Sequence, residues 1–364
     1  MLNMSTINDL NVLHVCETVQ GGVGAVLTEI ISETKFKHHL LIPSSSTCFI
    51  DNYSVCSSLS FFNRTGRDLF SFARLILTLS RTLKTNNFDI IILHSSFAGV
   101  LVRAFLLLSF KRNNYKLIYY PHGISLIMPG QSKIKFSIRK FIECVLARYA
   151  TDAIVSVSHY EASVLRENNI TAASDCMIYN GVNDLVSRPR TNGKGSSVLK
   201  ILFVGRFDPE KGVQHLLKAL EGVNRSFELT LVGGFTNNGV LSTSVEHVNK
   251  GWLQRDGTLN EYQNADLIVI PSEWEAFGMV AVEAMMAGKA VFASAVGGLK
   301  ELISDGYNGV KFKTISELTE LIQCCDLVEL ERMGLNGRLR YEELFSSEKM
   351  GEQLSSLIKT LVVK

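Results

Sequence analysis

The sequence predicts an α/β protein of two domains, and three observations carry that prediction. At 364 residues the chain is too long for one ordinary core and comfortable for two domains of about 150 to 200 residues. Short continuous apolar runs recur along it, each closed by glycine, proline, serine or histidine and followed by a helical pattern, as buried parallel strands feeding helices would be. Between two such series lies a polar run rich in Gly, Ser and Lys, Pro189 to Ser197, where a linker belongs.

Composition narrows the class. With 46% hydrophobic and 20% charged residues and a formal net charge of +2, the chain is not disordered, and nothing overall argues for a nucleic-acid partner. Divided near residue 190, it carries an excess of Lys and Arg in its first half and of Asp and Glu in its second. The first half is therefore the one expected to meet an anionic surface. Seven cysteines, an odd number without a C-x-x-C pair, fit a reduced cytosolic compartment. Met1 to Asn11 has no basic residue and no long apolar core, so it does not read as a signal peptide. The most apolar stretch, Ala98 to Phe110, is interrupted by Arg103 and too short to span a bilayer. The expected location is cytoplasmic, with room for peripheral contact at the inner face of the membrane.

In chain order, Asn11 to Cys16 reads as the first strand, and Gly21-Gly22-Val23-Gly24 follows it into a helix over Ala25 to Ser32. A glycine-rich turn there lets a ligand approach the backbone. It lacks the G-x-G-x-x-G spacing, and no acid stands about twenty residues on, so a dinucleotide reading is weak and a tight turn without a ligand is the alternative. Asp68 to Leu83 has the spacing of a surface helix. Asp89 to Leu93 is a buried strand delivering His94-Ser95-Ser96 at its carboxyl end, where ligands of open α/β sheets gather. Lys116 to Tyr120 delivers Pro121-His122-Gly123 in the same way, and on the residues alone His122 reads first as a cap of its turn. Lys133 to Tyr149 is a basic amphipathic helix that either packs on its own sheet or lies on anionic lipid, each surface cation then contributing about 1 kcal/mol. Asp152 to Val157 makes a further strand.

The second series opens with Lys200 to Val204 and Gly205-Arg206-Phe207-Asp208-Pro209-Glu210-Lys211-Gly212, which is not a Walker A loop. Arg206 and Lys211 flank a strand-to-helix turn. As an isolated pair they read as exposed cations; as a site they supply fixed charge to a departing diphosphate, which is more anionic in the transition state than before it. Leu229 to Val232 ends in Gly233-Gly234, and Trp252 beyond it is open between stacking and core. Leu267 to Ile270, closed by Pro271 and Ser272, precedes a helix running from about Met279 to Gly288. That turn presents the amides of Gly278, Met279 and Val280 at a helix N-terminus, an anion site. Glu275 and Glu283 beside it cannot be phosphate ligands, because like charges repel. They are acceptors for sugar hydroxyls on either side of a diphosphate, or acids that merely complement the helix dipole.

Two motifs are specific. P-S-x-x-E-x-F-G-x-x-x-x-E-A-M-x-x-G carries Glu275 and Glu283, and G-R-x-x-x-E-K-G stands about seventy residues before it. Together they resemble the signature of the retaining GT-B glycosyltransferases of family GT4, and the resemblance spans nearly the whole chain, strongest from 201 to 309. It implies two Rossmann-like domains facing a central cleft. An acceptor-binding domain is expected over 1–188, a linker over 189–197, a donor-binding domain over 198–340, and a C-terminal helix over 341–364 that crosses back to the first domain. In that family the first Glu contacts the donor sugar, the loop amides contact sugar and diphosphate, and the second Glu holds the ribose. Those roles fall on Glu275, on Phe277, Gly278, Met279 and Val280, and on Glu283. The resemblance also brings Gly205, Arg206 and Lys211 to the diphosphate, and Gly21, Gly22 and Gly24 to a loop facing donor phosphate and acceptor.

His122 falls at the family's active-site histidine, near the donor sugar, where it orients a hydroxyl or stabilises developing charge. His94 opens a segment, through Val100, similar to one in exopolysaccharide and O-antigen members, which often carry Lys where Phe97 stands; it is a candidate on the acceptor side. Tyr179 to Asn183 resembles the turn where the chain leaves the first domain. Gly297-Gly298 and Asp305 to Gly309 resemble the closing motifs, the first covering the donor site. The implied reaction moves a sugar from a nucleoside-diphosphate sugar, UDP by family frequency, to a hydroxyl of a polyprenyl-diphosphate-linked saccharide, with retention. No metal or other cofactor is expected, because no D-x-D motif exists to hold one. Two rivals are a nucleotide-sugar epimerase of the same architecture, which needs acids placed for proton work at the sugar, and a non-catalytic sugar-binding protein, which needs no cations beside its carboxylates.

Overall fold

A computed structural model describes residues 9–19, 21–49, 55–124, 126, 132–186, 198–236 and 239–363; the expected linker, 189–197, lies outside them. The chain divides into two units, Met1–Gly181 with Ser347–Lys364, and Val182–Ser346. That division falls inside the turn Tyr179 to Asn183, seven residues before the first-domain boundary expected at 188.

In the first unit the strands are β1 (Asn11–Cys16), β2 (Lys37–Pro43), β3 (Ser58–Phe62), β4 (Ile90–His94), β5 (Lys116–Tyr120), β6 (Ala153–Ser156) and β7 (Cys176–Met177). The helices between them are α1 (Gly22–Glu33), α2 (Leu69–Thr85), α3 (Ser96–Leu108), α4 (Lys133–Ala150) and α5 (His159–Glu167). The strands pair in parallel in the order β3-β2-β1-β4-β5-β6-β7. Their near-continuous apolar sequences follow from that arrangement, because both sheet faces are covered by helices. Leu13, Val15, Ile91, Leu93, Leu117 and Tyr119 face one buried cluster, while Cys16, Leu40 and Ile42 pack with Leu27 and Ile31 of α1 on the other face.

The second unit repeats the plan with β8 (Leu199–Val204), β9 (Phe227–Val232), β10 (Val248–Asn249), β11 (Leu267–Ile270), β12 (Ala290–Ser294) and β13 (Gly309–Phe312). Its helices are α6 (Val213–Leu220), α7 (Arg255–Asn264), α8 (Met279–Met286), α9 (Leu299–Leu302), α10 (Ile315–Cys324) and α11 (Leu327–Leu344). The order is β10-β9-β8-β11-β12-β13, again parallel. In each sheet the order reverses once, between β1 and β4 and between β8 and β11, and the loops leaving those strand ends are where an open α/β sheet binds its ligands.

The tail differs from the single helix expected over 341–364. Residues 341–344 finish α11, Phe345 and Ser346 break the helix, and α12 (Ser347–Val363) belongs to the first unit. Hydrogen bonds pin both sides of the break: Tyr341 donates its hydroxyl to Val182 O at 2.8 Å, and Ser347 donates to Glu33 Oε1 at 2.9 Å.

Candidate active site

In the second unit the switch-point loops after β8 and β11 are held against each other by backbone. Glu273 N donates to Glu210 O at 2.9 Å, and Gly212, at φ 67°, lies so close to Pro271 that a Cβ would sit 1.9 Å from its carbonyl oxygen. Any side chain there forces the loops apart, in a conformation that disfavours L-residues anyway. The contact brings Lys211 to Glu275, Nζ to Oε1 at 2.5 Å, and Ser272 donates to the same oxygen at 3.0 Å. Glu275 is largely shielded, its side chain 14% exposed.

Arg206 is engaged too. Its guanidinium donates to Asp208 Oδ2 at 2.8 Å and Glu210 Oε2 at 3.2 Å, and Thr236 holds Asp208 in turn at 2.8 Å. Both cations flank the turn as expected, and each is oriented by carboxylates rather than standing alone.

α8 begins where predicted. Gly278 is its N-cap residue at φ 122°, and Ala281 and Val282 return their amides to Gly278 O, leaving those of Gly278, Met279 and Val280 as the N-terminal donors. Phe277 contributes backbone only, since its side chain is buried against Phe345. Glu283, one turn into α8, accepts from Tyr262 at 2.7 Å, and burial beside that carboxylate pushes the phenol well above its ordinary range. Gly297 and Gly298 lie on the Glu275 loop: Gly298 N donates to Glu275 O at 3.1 Å, and a Cβ on Gly297 would meet that oxygen at 1.8 Å. Gly205 and Gly233 touch backbone to backbone at the ends of β8 and β9. Trp252 is 63% exposed and lies over Gly234, so it is not a core residue.

In the first unit Gly21, at φ 69°, is the N-cap residue of α1, and Gly24 and Ala25 return their amides to Gly21 O. Gly21 and Gly22 are exposed and Gly24 is buried. Glu17, just before this loop, is buried and paired with Arg64 at 2.6 Å and Arg67 at 3.4 Å. His94 is not placed for an acceptor. It is fully buried, and its two ring nitrogens are taken by His14 at 3.0 Å and His122 at 2.8 Å. His122, just past β5 at φ 52°, stacks on Tyr120 with ring centroids 4.1 Å apart. The loop after it is anchored by buried Glu161, which accepts from Gly123 and Ile124 at 2.9 and 2.8 Å and from Val157 at 3.0 Å. Burial raises the Glu161 carboxyl and outweighs those amides, which lower it.

Sequence reasoning missed Glu161, His14, His38 and Tyr262 because each meets a partner more than twenty residues away in the chain, and it missed Ser272 and the acids around Arg206 although their partners lie within four residues. The pairing of cation with acid inside Gly205 to Gly212 was the one signal available locally.

Comparison with known proteins covers both units. Residues 188–324 match the family described as "Glycosyl transferases group 1", and residues 21–184 match "Glycosyltransferase Family 4". A relative from Klebsiella pneumoniae, described as "Uncharacterized 41.2 kDa protein in cps region", is 35% identical over 86% of this chain and 89% of its own. Among solved structures, sucrose-phosphate synthase from Thermosynechococcus elongatus aligns over 97% of this chain and 99% of its own, with a TM-score of 0.83 at 19% identity. Anabaena HepE in complex with UDP-glucose aligns over 96% and 100%, with a TM-score of 0.77 at 20% identity. At these identities the structures speak for the fold alone, two Rossmann-like sheets of the GT-B type.

Proposed function

This chain belongs to glycosyltransferase family 4, and from that premise we propose that it moves a sugar from a nucleoside-diphosphate sugar, UDP-linked, to a hydroxyl of a lipid-linked saccharide, with retention of anomeric configuration. The observation that carries the reading is the Lys211–Glu275 pair under the N-terminus of α8, at the strand-order reversal of the second unit. An ammonium, three helix-terminal amides and a carboxylate in one place suit a ligand that is anionic on one side and hydroxylated on the other. The HepE complex holds UDP-glucose in a similarly folded chain, which supports the same donor class here.

In this reading the diphosphate lies on the amides of Gly278, Met279 and Val280, Glu275 accepts from a sugar hydroxyl, and Glu283 accepts from the ribose. Negative charge builds on the leaving diphosphate as the glycosidic bond breaks. Lys211 and Arg206, already held by carboxylates, stabilise that charge without reorganising, and no metal is called on. With no carboxylate assigned as nucleophile or base, the acceptor hydroxyl attacks the face the diphosphate leaves and gives its proton to the departing phosphate oxygen. The relative encoded in a cps region supports an acceptor in surface-polysaccharide assembly.

Contact with an anionic membrane is part of this reading, and α4 supports it. Its C-terminal half buries Leu146, Ala147 and Ala150, whereas Ile134, Ile138 and Phe141 stand 74%, 55% and 69% exposed among Lys133, Lys135, Arg139 and Lys140. Apolar side chains left in water beside cations suit a lipid surface. No helix among the described residues is long and apolar enough to cross a membrane.

The test is transfer from radiolabelled UDP-sugars to a polyprenyl-diphosphate saccharide, with the product linkage read by NMR. An α-linked product from an α-linked donor is expected, and Lys211→Ala should lose about 10²-fold or more in kcat, the size seen when a preorganised charge stabiliser is removed. Inverted product, activity abolished by EDTA, or epimerised donor in the absence of acceptor would each overturn part of the reading.

A further inference from the structure

Four histidines cross the first sheet in one line, one from each of β2, β1 and β4 and one just past β5. His38 Nδ1 lies 3.0 Å from His14 Nε2, His14 Nδ1 lies 3.0 Å from His94 Nε2, and His94 Nδ1 lies 2.8 Å from His122 Nε2. The register explains the line. His14 pairs with Leu40 on one side and Ile92 on the other, and His94 pairs with Tyr120. Each step therefore moves one strand over and two residues toward the carboxyl end, the diagonal that large side chains on one face can bridge. Ring centroids stand 5.2, 5.3 and 5.1 Å apart, and the His94 and His122 planes differ by only 9°. Those separations are what imidazoles joined edge to edge by such short bonds give, so each N–H points along the line.

The chain has a direction, set at its far end. His38 Nε2 lies 3.3 Å from the carbonyl oxygen of Thr34 and 3.0 Å from its hydroxyl. A carbonyl only accepts, and the hydroxyl already donates to Ile30 O at 2.6 Å, so His38 Nε2 carries the proton. A neutral imidazole has one donor and one acceptor. Hence His38 Nδ1 accepts from His14 Nε2–H, His14 Nδ1 accepts from His94 Nε2–H, and His94 Nδ1 accepts from His122 Nε2–H. What remains at the near end is His122 Nδ1, a lone pair. That atom is buried and bonded to nothing among the described residues. Burial favours the neutral forms throughout: His94 is pulled down to about 3 and His38 to about 4, with His14 and His122 held well below their ordinary range.

We propose that Thr34, His38, His14 and His94 are positioning residues, a directional hydrogen-bond chain that fixes His122 as its Nε2–H tautomer and presents Nδ1 to a ligand hydroxyl as an acceptor. The proposal deepens the glycosyl-transfer reading and rests on it for the identity of that hydroxyl, a sugar's. It decides between the two roles open to His122: the ring accepts a hydrogen bond, and it neither donates from Nδ1 nor carries positive charge to a leaving group. Nor is the line a route for protons, because it ends on a backbone carbonyl and a buried threonine.

The experiment is a long-range ¹H–¹⁵N correlation spectrum of the full chain labelled with ¹⁵N-histidine, at pH 7 and without ligand, with His122 assigned from its loss in His122→Ala. Wild type should show His122 as Nε2–H with an unprotonated Nδ1. His38→Leu removes the acceptor that sets the direction, and His38→Asn restores one through its side-chain oxygen. In His38→Leu the His122 signals should move toward a mixture of tautomers and kcat/KM should fall at least about twofold, the factor by which an even mixture dilutes the competent form. His38→Asn should recover both, with nucleotide affinity unchanged in either. A wild-type His122 with Nδ1 protonated, or an unmoved tautomer in folded His38→Leu, overturns the proposal. The wild-type spectrum decides even if His38→Leu does not fold. It needs no substrate, so a locked tautomer in a protein that transfers from no nucleotide sugar would sink the donor assignment and leave the chain standing.

Discussion

At the scale of single residues, the histidine line makes stability depend on acidity. In the unfolded chain these imidazoles protonate near 6.5, but in the fold His38 and His94 hold out to about 4 and about 3. Between those values and 6.5 the unfolded state binds more protons, so stability falls as pH falls, by about 1.4 kcal/mol per pH unit for each buried histidine. The charged and titratable groups about the line include the Cys16 thiol, paired in register with His94 and pushed up by burial, His39 beside Lys37, the Tyr120 ring and, through the loop after His122, the Glu161 carboxyl. Glu161 is raised by burial and acts in the opposite sense, as one group against four. Urea unfolding should therefore give a markedly lower free energy at pH 5 than at pH 7, with a shallower loss in His38→Asn. Equal stability at the two values would mean that the line is already charged or already open at neutral pH.

At the scale of elements, α4 shows how one helix serves two environments. Its buried half is clamped from inside: Arg103 of α3, fully buried, donates to Glu143 at 2.6 Å and lies 3.8 Å over the Tyr119 ring. The residue that interrupts the apolar stretch Ala98 to Phe110 is thus what fastens α4 to α3. The other half carries the exposed Ile134, Ile138 and Phe141. Flotation with vesicles rich in anionic lipid should recover the protein, and neutral vesicles should not. Replacing Lys135 and Lys140 by Gln removes about 2 kcal/mol of surface attraction, a loss of roughly 25-fold in partitioning. Equal flotation on neutral lipid would show that the charges are incidental.

At the scale of the whole molecule, ligand binding reports on the donor assignment without an acceptor. UDP at about 100 times its dissociation constant should add roughly 2.7 kcal/mol, a rise of several degrees in melting temperature. The shift should exceed that from other nucleoside diphosphates and shrink in Lys211→Ala. A response to guanosine diphosphate alone would reassign the donor, and none at all would remove the nucleotide from the free protein.

What the sequence determined by itself was everything carried by contiguous residues. β1, β5 and β11 begin and end as read, since an apolar run closed by a glycine, proline or polar residue needs only local chemistry. The two motif stretches named Arg206, Lys211, Glu275, Glu283 and the α8 amides from spacing, and the family resemblance attached roles to them. Tertiary structure decided what depends on strand order and register. Only the reversal between β8 and β11 brings Lys211 onto Glu275, sixty-four residues away in the chain. Likewise, only the register of four parallel strands turns His38, His14, His94 and His122 into a line, taking His94 from a candidate ligand to a support. A histidine in a sequence carries no sign of which nitrogen will hold the proton. That is settled by the neighbour it meets, and here the neighbour at the end of the line is a carbonyl that can only accept.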